Sequence, residues 1–505
     1  MRRHSATCRL ATLSICLLSA TFSKAAKTIH VPADQPTIQS AINAASGGDT
    51  VLVAPGTYKE NVNFSGKAIT LKSSGGAKVT IIDGGGIAPV LTFSSNETSS
   101  SVLIGFTLQN GTSTFNSQYA GGGIFISFAS PTIKNNIIQN NTACAGGGGI
   151  EVYFGSPLIQ GNTIKSNSQS GCSGGGGAGI EAGGASTVQI IGNIIQNNSW
   201  GGSGGGIFLN SVGSALIKNN VITGNVGGGI AMLNDVSGTA IVQNLISGNT
   251  STGGSGVYWS NPPAVFVNNT IVDGPASGGS TVATDDFGTP VTVANNIIVA
   301  IHGATNALSC GTDLIASTFY NNDIFSVNGP AYGGLCTDQT GTRGNISANP
   351  KFVGTSNFRL KGGSSAIDTG SNSAPDLPST DIAGNLRIIN GNGRPKAIVD
   401  MGAYEFVPVV LLPKSLNFGL QAVGSTTSKT DKLTNAQNKV LNISSISAPT
   451  GYSVTGCTTS IAAFSSCTLT VTFDPQTMGT FKGSLKVTDD AGNSPQTVSL
   501  SGSAQ

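Results

Sequence analysis

Charged side chains are scarce in this sequence. Lysine, arginine, aspartate and glutamate make up 10% of its 505 residues, against about 25% in an average protein. Between residues 101 and 340 the lysines and arginines are Lys134, Lys165 and Lys218. That is too few for a nucleic-acid-binding surface. It is also a poor basis for a polyuronate lyase, which needs a basic catalytic residue beside its acidic substrate.

Histidines and metal-binding motifs are also scarce. The histidines are His4, His30 and His302, and they offer no persuasive Ser-His-Asp order for a hydrolytic triad. The glycine-rich runs lack the Lys-Ser or Lys-Thr that follows a phosphate-binding loop. No Cys-x-x-Cys pair is present, so zinc is the less favoured explanation for the cysteines.

A long apolar run occurs near the N-terminus, at residues 10–22. Arg2 and Arg3 precede it, and small residues end the segment at Ala25. This is the pattern of a signal peptide over residues 1–25, and the run is too short for a stable membrane-spanning helix. We therefore expect an extracellular or cell-surface protein without a membrane span after signal cleavage.

Glycine is abundant, with 71 residues, and a short phrase recurs between residues 132 and 324. The phrase is an aliphatic run, an Asn, one further residue in most copies, and another aliphatic. The recurring residues are Asn136, Asn162, Asn193, Asn220, Asn244, Asn269, Asn296 and Asn322. Their period averages about 27 residues, which indicates a repeat architecture.

A second phrase, Gly-Gly-Gly-Ile or a close variant, lies between the Asn units. Its copies end at Ile124, Ile150, Ile180, Ile207 and Ile230. Apolar residues recur at every second position, as in strands, and Asn and Gly tolerate the left-handed backbone of sharp corners. One unit cannot bury its apolar side, whereas stacked units bury a continuous column. The pattern predicts an all-β chain built on a parallel β-helix of about eleven coils.

A short helix is expected before the first full coils, over residues 34–45. Its apolar face is formed by Ile38, Ala41, Ile42 and Ala45. Asp34 or Thr37 can cap its start. Such a helix would cover the open end of the β-helix and protect the first coil from edge pairing.

These repeats resemble those of the secreted right-handed parallel β-helix proteins of the pectin-lyase-like superfamily, over roughly residues 27–406. That superfamily contains lyases, hydrolases, esterases, epimerases and adhesins, so the resemblance implies the fold and leaves the activity open. The catalytic signatures of its pectin methylesterases are missing. Asp285-Asp286 before His302 is similar to the order in polygalacturonases, but their flanking motifs are missing, and turn carboxylates are the alternative.

Residues 349–406 follow a different pattern. Their motifs include Ala366-Ile367-Asp368-Thr369-Gly370 and Asp400-Met401-Gly402-Ala403-Tyr404-Glu405-Phe406. They closely resemble the choice-of-anchor Q segment, which closes a β-helix and implies a cell-surface context. Four carboxylates of this segment are candidate calcium ligands: Asp368, Asp381, Asp400 and Glu405. Turn or capping roles are the alternative for them. No other metal or cofactor is indicated.

The C-terminal part alternates short strands with turns, as a β-sandwich requires. Leu416-Asn417-Phe418-Gly419 and the run at residues 467–475 resemble bacterial immunoglobulin-like domains of the hydin and abnormal-spindle type. The expected division is a signal peptide at 1–25, a right-handed parallel β-helix at 26–348, its closing segment at 349–408 and an immunoglobulin-like sandwich at 409–505.

Six cysteines follow the signal peptide, and they fall into neighbouring pairs. The expected disulfides are Cys144–Cys172, Cys310–Cys336 and Cys457–Cys467. The first two pairs are each separated by close to one repeat. Residues one coil apart at the same register lie about 4.8 Å from each other, a distance that a disulfide can bridge.

The register also predicts a column of outward residues, because the residue after each inward Ile points outward. The column reads Phe125, Glu151, Glu181, Phe208, Ala231 and Tyr258, and a companion column two residues on contains Ser127, Tyr153, Gly183 and Asn210. We expect an exposed face on which neutral sugars stack against Phe125, Tyr153, Phe208 and Tyr258. Aromatic ladders that only stabilise stacked strands are the alternative.

Glu151 and Glu181 are neighbours in this column, about 4.8 Å apart at the backbone. Two carboxylates that close repel, so three outcomes are open. A cation lies between them, one holds a proton with a raised pKa, or both splay into water and the repulsion is screened. The spacing also suits the acid and nucleophile of a retaining glycosidase, which makes them candidate catalytic residues, turnover being the least favoured role.

Two functions remain open. The first is a secreted or cell-surface monomer that binds polysaccharide or a cell-surface glycan, with or without cleavage by a hydrolase or lyase activity. The second is a non-catalytic adhesin or surface-structural protein, in which the stacked coils form a rigid rod.

Overall fold

The chain forms a parallel β-helix followed by an antiparallel β-sandwich. The structure, a computed structural model, describes residues 25–113, 121–170, 176–184, 186–234, 236–275, 277–285, 291–312, 318–393, 396–457 and 459–505. The expected signal peptide, apart from Ala25, lies outside these described residues.

The strands of the β-helix are, in chain order, β1 (Thr28–Val31), β2 (Thr50–Val53), β3 (Gly56–Lys59), β4 (Val62–Asn63), β5 (Thr70–Ser73), β6 (Thr80–Asp83), β7 (Leu91–Phe93), β8 (Val102–Ile104), β9 (Thr107–Gln109), β10 (Ile124–Ser127), β11 (Thr132–Lys134), β12 (Ile137–Gln139), β13 (Thr142–Ala143), β14 (Ile150–Tyr153), β15 (Leu158–Gln160), β16 (Thr163–Lys165), β17 (Ser168–Gln169), β18 (Ile180–Gly183), β19 (Thr187–Ile191), β20 (Ile194–Gln196), β21 (Ile207–Asn210), β22 (Ser214–Lys218), β23 (Val221–Thr223), β24 (Ile230–Leu233), β25 (Ala240–Val242), β26 (Leu245–Asn249), β27 (Gly254–Trp259), β28 (Val265–Val267), β29 (Thr270–Asp273), β30 (Ser280–Thr284), β31 (Thr292–Ala294), β32 (Ile297–Ala300), β33 (Asn306–Cys310), β34 (Thr318–Tyr320), β35 (Asp323–Ser326) and β36 (Tyr332–Gly334).

These strands form three long parallel sheets, one on each side of the coil. Sheet A has 12 strands and runs from β1 to β34, sheet B has 11 and runs from β3 to β35, and sheet C has 11 and runs from β4 to β36. β13 and β17 form a separate parallel pair. The expected all-β parallel β-helix is confirmed. Inward aliphatic side chains stack along its axis as one core, for example Ile133, Ile159 and Ile190 in sheet A.

Two ladders of buried Asn side chains run along the inside of the corners. The ladder between sheets A and B contains Asn136, Asn162, Asn193, Asn220, Asn244, Asn269, Asn296, Asn322 and Asn345, and the ladder between sheets B and C contains Asn141, Asn167, Asn198, Asn225 and Asn249. The Oδ1 of Asn162, for example, accepts from the backbone N–H of Asn136 at 2.9 Å and from its Nδ2 at 3.1 Å. The repeated Asn is therefore a rung that joins each coil to the next.

The helix α1 (Ile38–Ala44) covers the first coils. Ile38, Ala41 and Ile42 are buried against the β-helix core, and Thr37 is its N-cap. The Glu60 carboxylate also accepts the backbone N–H of Ile38 at 2.9 Å. The predicted apolar face is thus the face that packs, although the helix begins four residues later than expected.

The segment at residues 349–406, of which 394 and 395 lie outside the described residues, packs along the flank of the β-helix. Phe358, Ile367 and Met401 pack with Leu245 and Val272, which point outward from sheet B. The expectation that this segment simply closes the end of the β-helix was therefore incomplete. Its resemblance to a choice-of-anchor segment stays a prediction.

Corner side chains fasten this segment to the β-helix. The Nδ2 groups of Asn268, Asn295 and Asn321 donate to backbone carbonyls of the segment, for example Asn321 to Thr369 at 2.9 Å. These are the outward, left-handed residues that precede the inward rungs of the ladder. In each of these three Asn-Asn pairs, the first side chain therefore hydrogen-bonds to the flanking segment, and the second hydrogen-bonds within the ladder inside the β-helix.

The C-terminal domain contains two antiparallel layers around its own core. Its strands are β37 (Val409–Leu412), β38 (Ser415–Gln421), β39 (Thr427–Asn435), β40 (Leu441–Ser447), β41 (Tyr452–Thr455), β42 (Ser460–Ile461), β43 (Ser466–Phe473), β44 (Gly479–Asp489) and β45 (Gln496–Ala504). One sheet has the order β37-β39-β43-β41 and the other β38-β45-β44-β40-β42; within the second, β38 pairs with β45 in parallel. Leu433, Leu469 and Val498 are among the buried side chains between them. The predicted sandwich is confirmed.

Two of the three expected disulfides lie within the described residues. Cys310 is bonded to Cys336 and Cys457 to Cys467. The register argument for the first was wrong, since Cys310 pairs with Gly334 in the sheet and Cys336 reaches it from the following turn. Cys172 lies outside the described residues, so its pairing with Cys144 stays a prediction.

Candidate functional site

The outward column on sheet C has the predicted register. Phe125 pairs with Glu151, Glu151 with Glu181, and Glu181 with Phe208. The column continues to Ala231 and Tyr258. The spacing of the repeats was therefore sufficient to place these residues in one line.

The column is not the exposed face that the sequence led us to expect. Glu151 is 2% exposed and Phe208 5%, and Ala231 is also buried. The glycine-rich runs fold back over them: a Cβ on Gly176 would lie 2.5 Å from the Phe208 ring. A Cβ on Gly121 would lie 2.9 Å from the Cβ of Glu151. The glycines thus cover Glu151 and Phe208, and Phe208 does not offer the exposed ring that the sugar-binding prediction needs.

The two glutamates lie side by side on neighbouring strands, Glu151 buried and Glu181 half-buried. Oε2 of Glu151 accepts the N–H of Gly147 at 2.6 Å, and Oε2 of Glu181 accepts the N–H of Gly176 at 3.0 Å. Burial raises the pKa of Glu181 to about 7. Burial, and then the charge of Glu181, raises the pKa of Glu151 well above its usual value.

Of the three outcomes open for this pair, the structure argues against the solvated one, and the raised pKa values agree with a bound proton. The solvated outcome fails because Glu151 is buried. No group of three or more His, Cys, Asp or Glu side chains that could hold a metal ion occurs among the described residues, and a cation held by this pair alone stays a prediction. A retaining glycosidase needs both carboxyl groups at its substrate, and Glu151 is 2% exposed, so the geometry gives no support to this role.

The other predicted aromatic residues are spread over several coils. Phe125 and Tyr258 are half-buried at opposite ends of the column. The Tyr258 hydroxyl donates to Asp285 at 2.9 Å, and burial, with this hydrogen bond, raises its pKa to about 12. Asp286 lies outside the described residues, and His302 contacts Asp273 rather than Asp285. The structure therefore does not bring these residues together as one binding surface.

Tyr153 belongs to an aromatic cluster that the sequence reasoning missed. Phe128 and Phe154 are exposed by 59% and 41%, and their rings stack with centroids 5.1 Å apart and planes 7° apart. Tyr153 stands edge-on to both, at 4.6 Å from Phe154 and 6.1 Å from Phe128. We call these three residues the aromatic corner.

Both phenylalanines occupy the corner between sheets C and A. Their φ angles are 51° and 52°, in the left-handed region, and the same corner of the neighbouring coils is occupied by Asn96 and Gly184. A Cβ on Gly184 would lie 2.8 Å from the Phe154 ring, so glycine leaves room for that ring. A sequence signal was available: Phe128 and Phe154 each follow sheet C strands at the same register.

The aromatic corner borders an open recess of about 360 Å³. The recess is lined by Asn96, Phe128, Ser130, Phe154, Gly155 and Ser156. No lysine, arginine, aspartate or glutamate is among these described lining residues. The site therefore combines ring surface with amide and hydroxyl groups and carries no charge of its own.

The four carboxylates considered for calcium already accept hydrogen bonds from groups of their own segment. Asp368, Asp381, Asp400 and Glu405 all accept hydrogen bonds from backbone N–H groups. Buried Arg387 lies 4.0 Å from Glu405. Burial raises the pKa of Asp400 to about 8 and that of Glu405 to about 10. The turn and capping roles describe them better than a calcium site.

Two family models match parts of this chain. Residues 42–280 match the family described as periplasmic copper-binding protein (NosD). Residues 408–497 match the abnormal spindle-like microcephaly-associated family, ASPM-SPD-2-Hydin. The first match lies in the β-helix and the second covers the sandwich, which confirms the predicted β-helix and abnormal-spindle-type domains. No curated protein matches the chain.

Several solved structures share short regions with it. A protein of unknown function from Porphyromonas gingivalis W83 is 17% identical over 19% of this chain and 46% of its own, with a TM-score of 0.18. PapD-like domain 7 of human CEP192 is 15% identical over 19% of this chain and 85% of its own, with a TM-score of 0.17. This chain thus spans less than half the length of the first, and no functional conclusion rests on either.

The described residues contain one helix, α1, which has 7 residues. No helix in this part of the chain has the length and hydropathy needed to cross a membrane.

Proposed function

We propose that this is an exported β-helix protein of the cell surface or periplasm that binds neutral polysaccharide at the aromatic corner. The observation that carries the proposal is the exposed, stacked pair Phe128 and Phe154. The signal-peptide pattern and the name of the matched periplasmic family support the location.

The backbone at the corner supports a role outside folding. A left-handed conformation at a residue other than glycine costs on the order of 1–3 kcal/mol, and such residues cluster at binding sites. Phe128 is mostly exposed, so its ring recovers little of that cost through burial. Sugar rings present C–H groups that pack on aromatic faces, and Ser130 and Asn96 can hydrogen-bond their hydroxyl groups.

Copper binding, which the name of the matched family states, does not fit the described residues. Copper sites use clusters of imidazole and sulfur ligands. His30 lies in β1 and His302 follows β32, so the two are far apart along the β-helix, and no cluster of three candidate ligands occurs among the described residues. We therefore derive no copper chemistry for this chain.

The binding proposal is tested with an array of plant, algal and microbial polysaccharides. Phe128→Ala and Phe154→Ala should each weaken binding of the preferred glycan at least about tenfold, which corresponds to about 1.4 kcal/mol. Ile194→Ala is the matched control, because Ile194 is a 42% exposed apolar residue on sheet B. Equal loss in all three variants, or no glycan signal from the wild-type protein, would contradict the proposal. A screen for reducing ends or unsaturated products on the same panel decides whether bound glycan is cleaved.

A second candidate function is that of a surface-structural rod or adhesin. The two Asn ladders favour it, because they join successive coils with buried hydrogen bonds along most of the β-helix. In that case the array stays silent for the wild-type protein and the alanine variants alike.

A further inference from the structure

In the Asn ladder between sheets B and C, the amide side chain is replaced by a carboxylate at Asp273. Asn249 pairs with Asp273 in the next coil, so an aspartate stands at the rung where the earlier coils have Asn. A carboxylate has no N–H to donate, so it cannot continue the ladder as an amide does. Its oxygens instead accept the backbone N–H groups of Ile301, His302, Gly303 and Ala304 at 2.7–3.1 Å.

This anchor fixes the ring of His302. Nδ1 of His302 lies 3.0 Å from the backbone carbonyl oxygen of Asp273 and 3.4 Å from its Oδ1. A carbonyl oxygen only accepts, so the neutral ring carries its proton on Nδ1 and its lone pair on Nε2. The side chain is 34% exposed. The fold thus presents one oriented hydrogen-bond acceptor at its surface.

His302 lines a cavity of about 420 Å³ between sheet B and the flanking segment. The apolar lining residues include Val221, Leu245, Pro275 and Phe358. The hydroxyl-bearing lining residues are Thr223, Ser247, Thr355 and Ser356. A mainly apolar cleft of this size with a few polar groups is the usual form of a small-ligand site.

We propose that this cavity binds one neutral sugar residue, whose hydroxyl group donates to Nε2 of His302. Phe358 and Leu245 supply apolar surface for the ring, and the hydroxyl groups of Ser247 and Thr223 lie on the neighbouring strands β26 and β23. This site is on sheet B and its neighbouring segment, so it is separate from the aromatic corner.

Charge decides the class of ligand. The lining contains no lysine or arginine among its described residues, so it lacks the permanent positive charge that a uronate, phosphate or sulfate site uses. The Asp273 carboxylate is fully buried and saturated by four N–H groups, so it offers nothing to a cation. A neutral ligand with an apolar face and several hydroxyl groups is what remains.

Imidazole NMR tests the proposal directly, because His30 and His302 are the only histidines besides His4. A long-range 1H–15N spectrum should show His302 as the Nδ1–H tautomer. Titration with methyl glycosides of glucose, galactose and mannose should shift the His302 resonances with at least one of them and leave those of His30 in place. Methyl glucuronide is the charged comparison and should have no effect.

Variants separate this site from the aromatic corner. His302→Ala keeps the loop anchor, because all four N–H groups are backbone groups, and should weaken sugar binding at least about tenfold by calorimetry. Phe128→Ala should leave the His302 shifts unchanged. An Nε2–H tautomer, a response to glucuronide alone, or no response to any neutral sugar at millimolar concentration would overturn the proposal.

Discussion

At the scale of single residues, buried Glu151 and half-buried Glu181 should make the stability of this protein depend on pH in an unusual direction. Most native carboxylates have lowered pKa values and stabilise proteins as the pH rises. Here burial raises the pKa of Glu181 to about 7. The folded state therefore binds a proton that the unfolded state releases near its ordinary pKa of about 4.5.

The first prediction concerns this pair. The stabilising contribution of the bound proton is fully present below about pH 4.5 and is lost as the pH rises through about 7. Glu181→Gln keeps the shape and cannot ionise, so it should unfold at higher temperature than the wild type at pH 8 and at a similar temperature at pH 4.5. The expected gain at pH 8 is on the order of 3 kcal/mol.

Thermal unfolding between pH 4.5 and 8 measures this difference. Asp376→Asn is the control, because it makes the same acid-to-amide change at an exposed position. Parallel pH profiles for wild type and Glu181→Gln would show that the pair is ionised in the folded protein and that the assignment is wrong.

The same two residues show what the sequence could predict. Their register follows from the repeat spacing, and the structure reproduces it. The burial of Glu151 does not follow, because it depends on where the glycine run before the strand folds, and glycine permits many backbone paths. The aromatic corner was missed for a related reason: bulky residues are uncommon in the left-handed conformation, so Phe128 was not considered as a corner residue.

At the scale of secondary-structure elements, the inward Asn ladder holds the coils in register. Oδ1 of Asn136 accepts the N–H of Phe106 at 3.0 Å, and its Nδ2 donates to Leu103 and Asn162. Every one of these groups is buried. The preceding residue, Asn135, is exposed and left-handed, so two adjacent residues of the same type have different roles.

The second prediction compares the members of this pair. Asn136→Ala leaves the N–H of Phe106 and the carbonyl of Leu103 without their partner, which should cost about 2–4 kcal/mol. Asn135→Gly keeps the left-handed backbone and should change stability by less than about 1 kcal/mol. Chemical denaturation measures both, and equal losses would mean that the ladder contributes nothing beyond backbone geometry.

The position of the flanking segment could not be predicted from the sequence, unlike the neighbours of each strand in the β-helix. The strands of the β-helix repeat at a fixed period, so their neighbours can be read from spacing. The segment at residues 349–406 contacts side chains more than 100 residues away, such as Leu245, and nothing periodic relates the two. The cavity beside His302 lies between sheet B and this segment. It could not be predicted from the sequence for the same reason.

At the scale of the whole molecule, the β-helix is a scaffold whose exposed corners carry the variation. Its inside is nearly uniform, with aliphatic stacks and Asn rungs. The corner between sheets C and A differs from coil to coil, with Asn96, Phe128, Phe154 and Gly184 in successive turns. Binding residues are expected at such loop positions on a rigid framework, which agrees with the polysaccharide-binding surface that we propose at the aromatic corner.

The most direct test of this account is a crystal structure of the protein with an oligosaccharide of the glycan it binds best. A sugar ring should lie against the Phe128 ring on the side of Asn96, within van der Waals contact of about 4 Å, with hydroxyl groups near Ser130. The sugar should be absent from crystals of Phe128→Ala grown in the same way. An oligosaccharide bound elsewhere on the β-helix or on the sandwich, with the aromatic corner empty, would contradict the central claim.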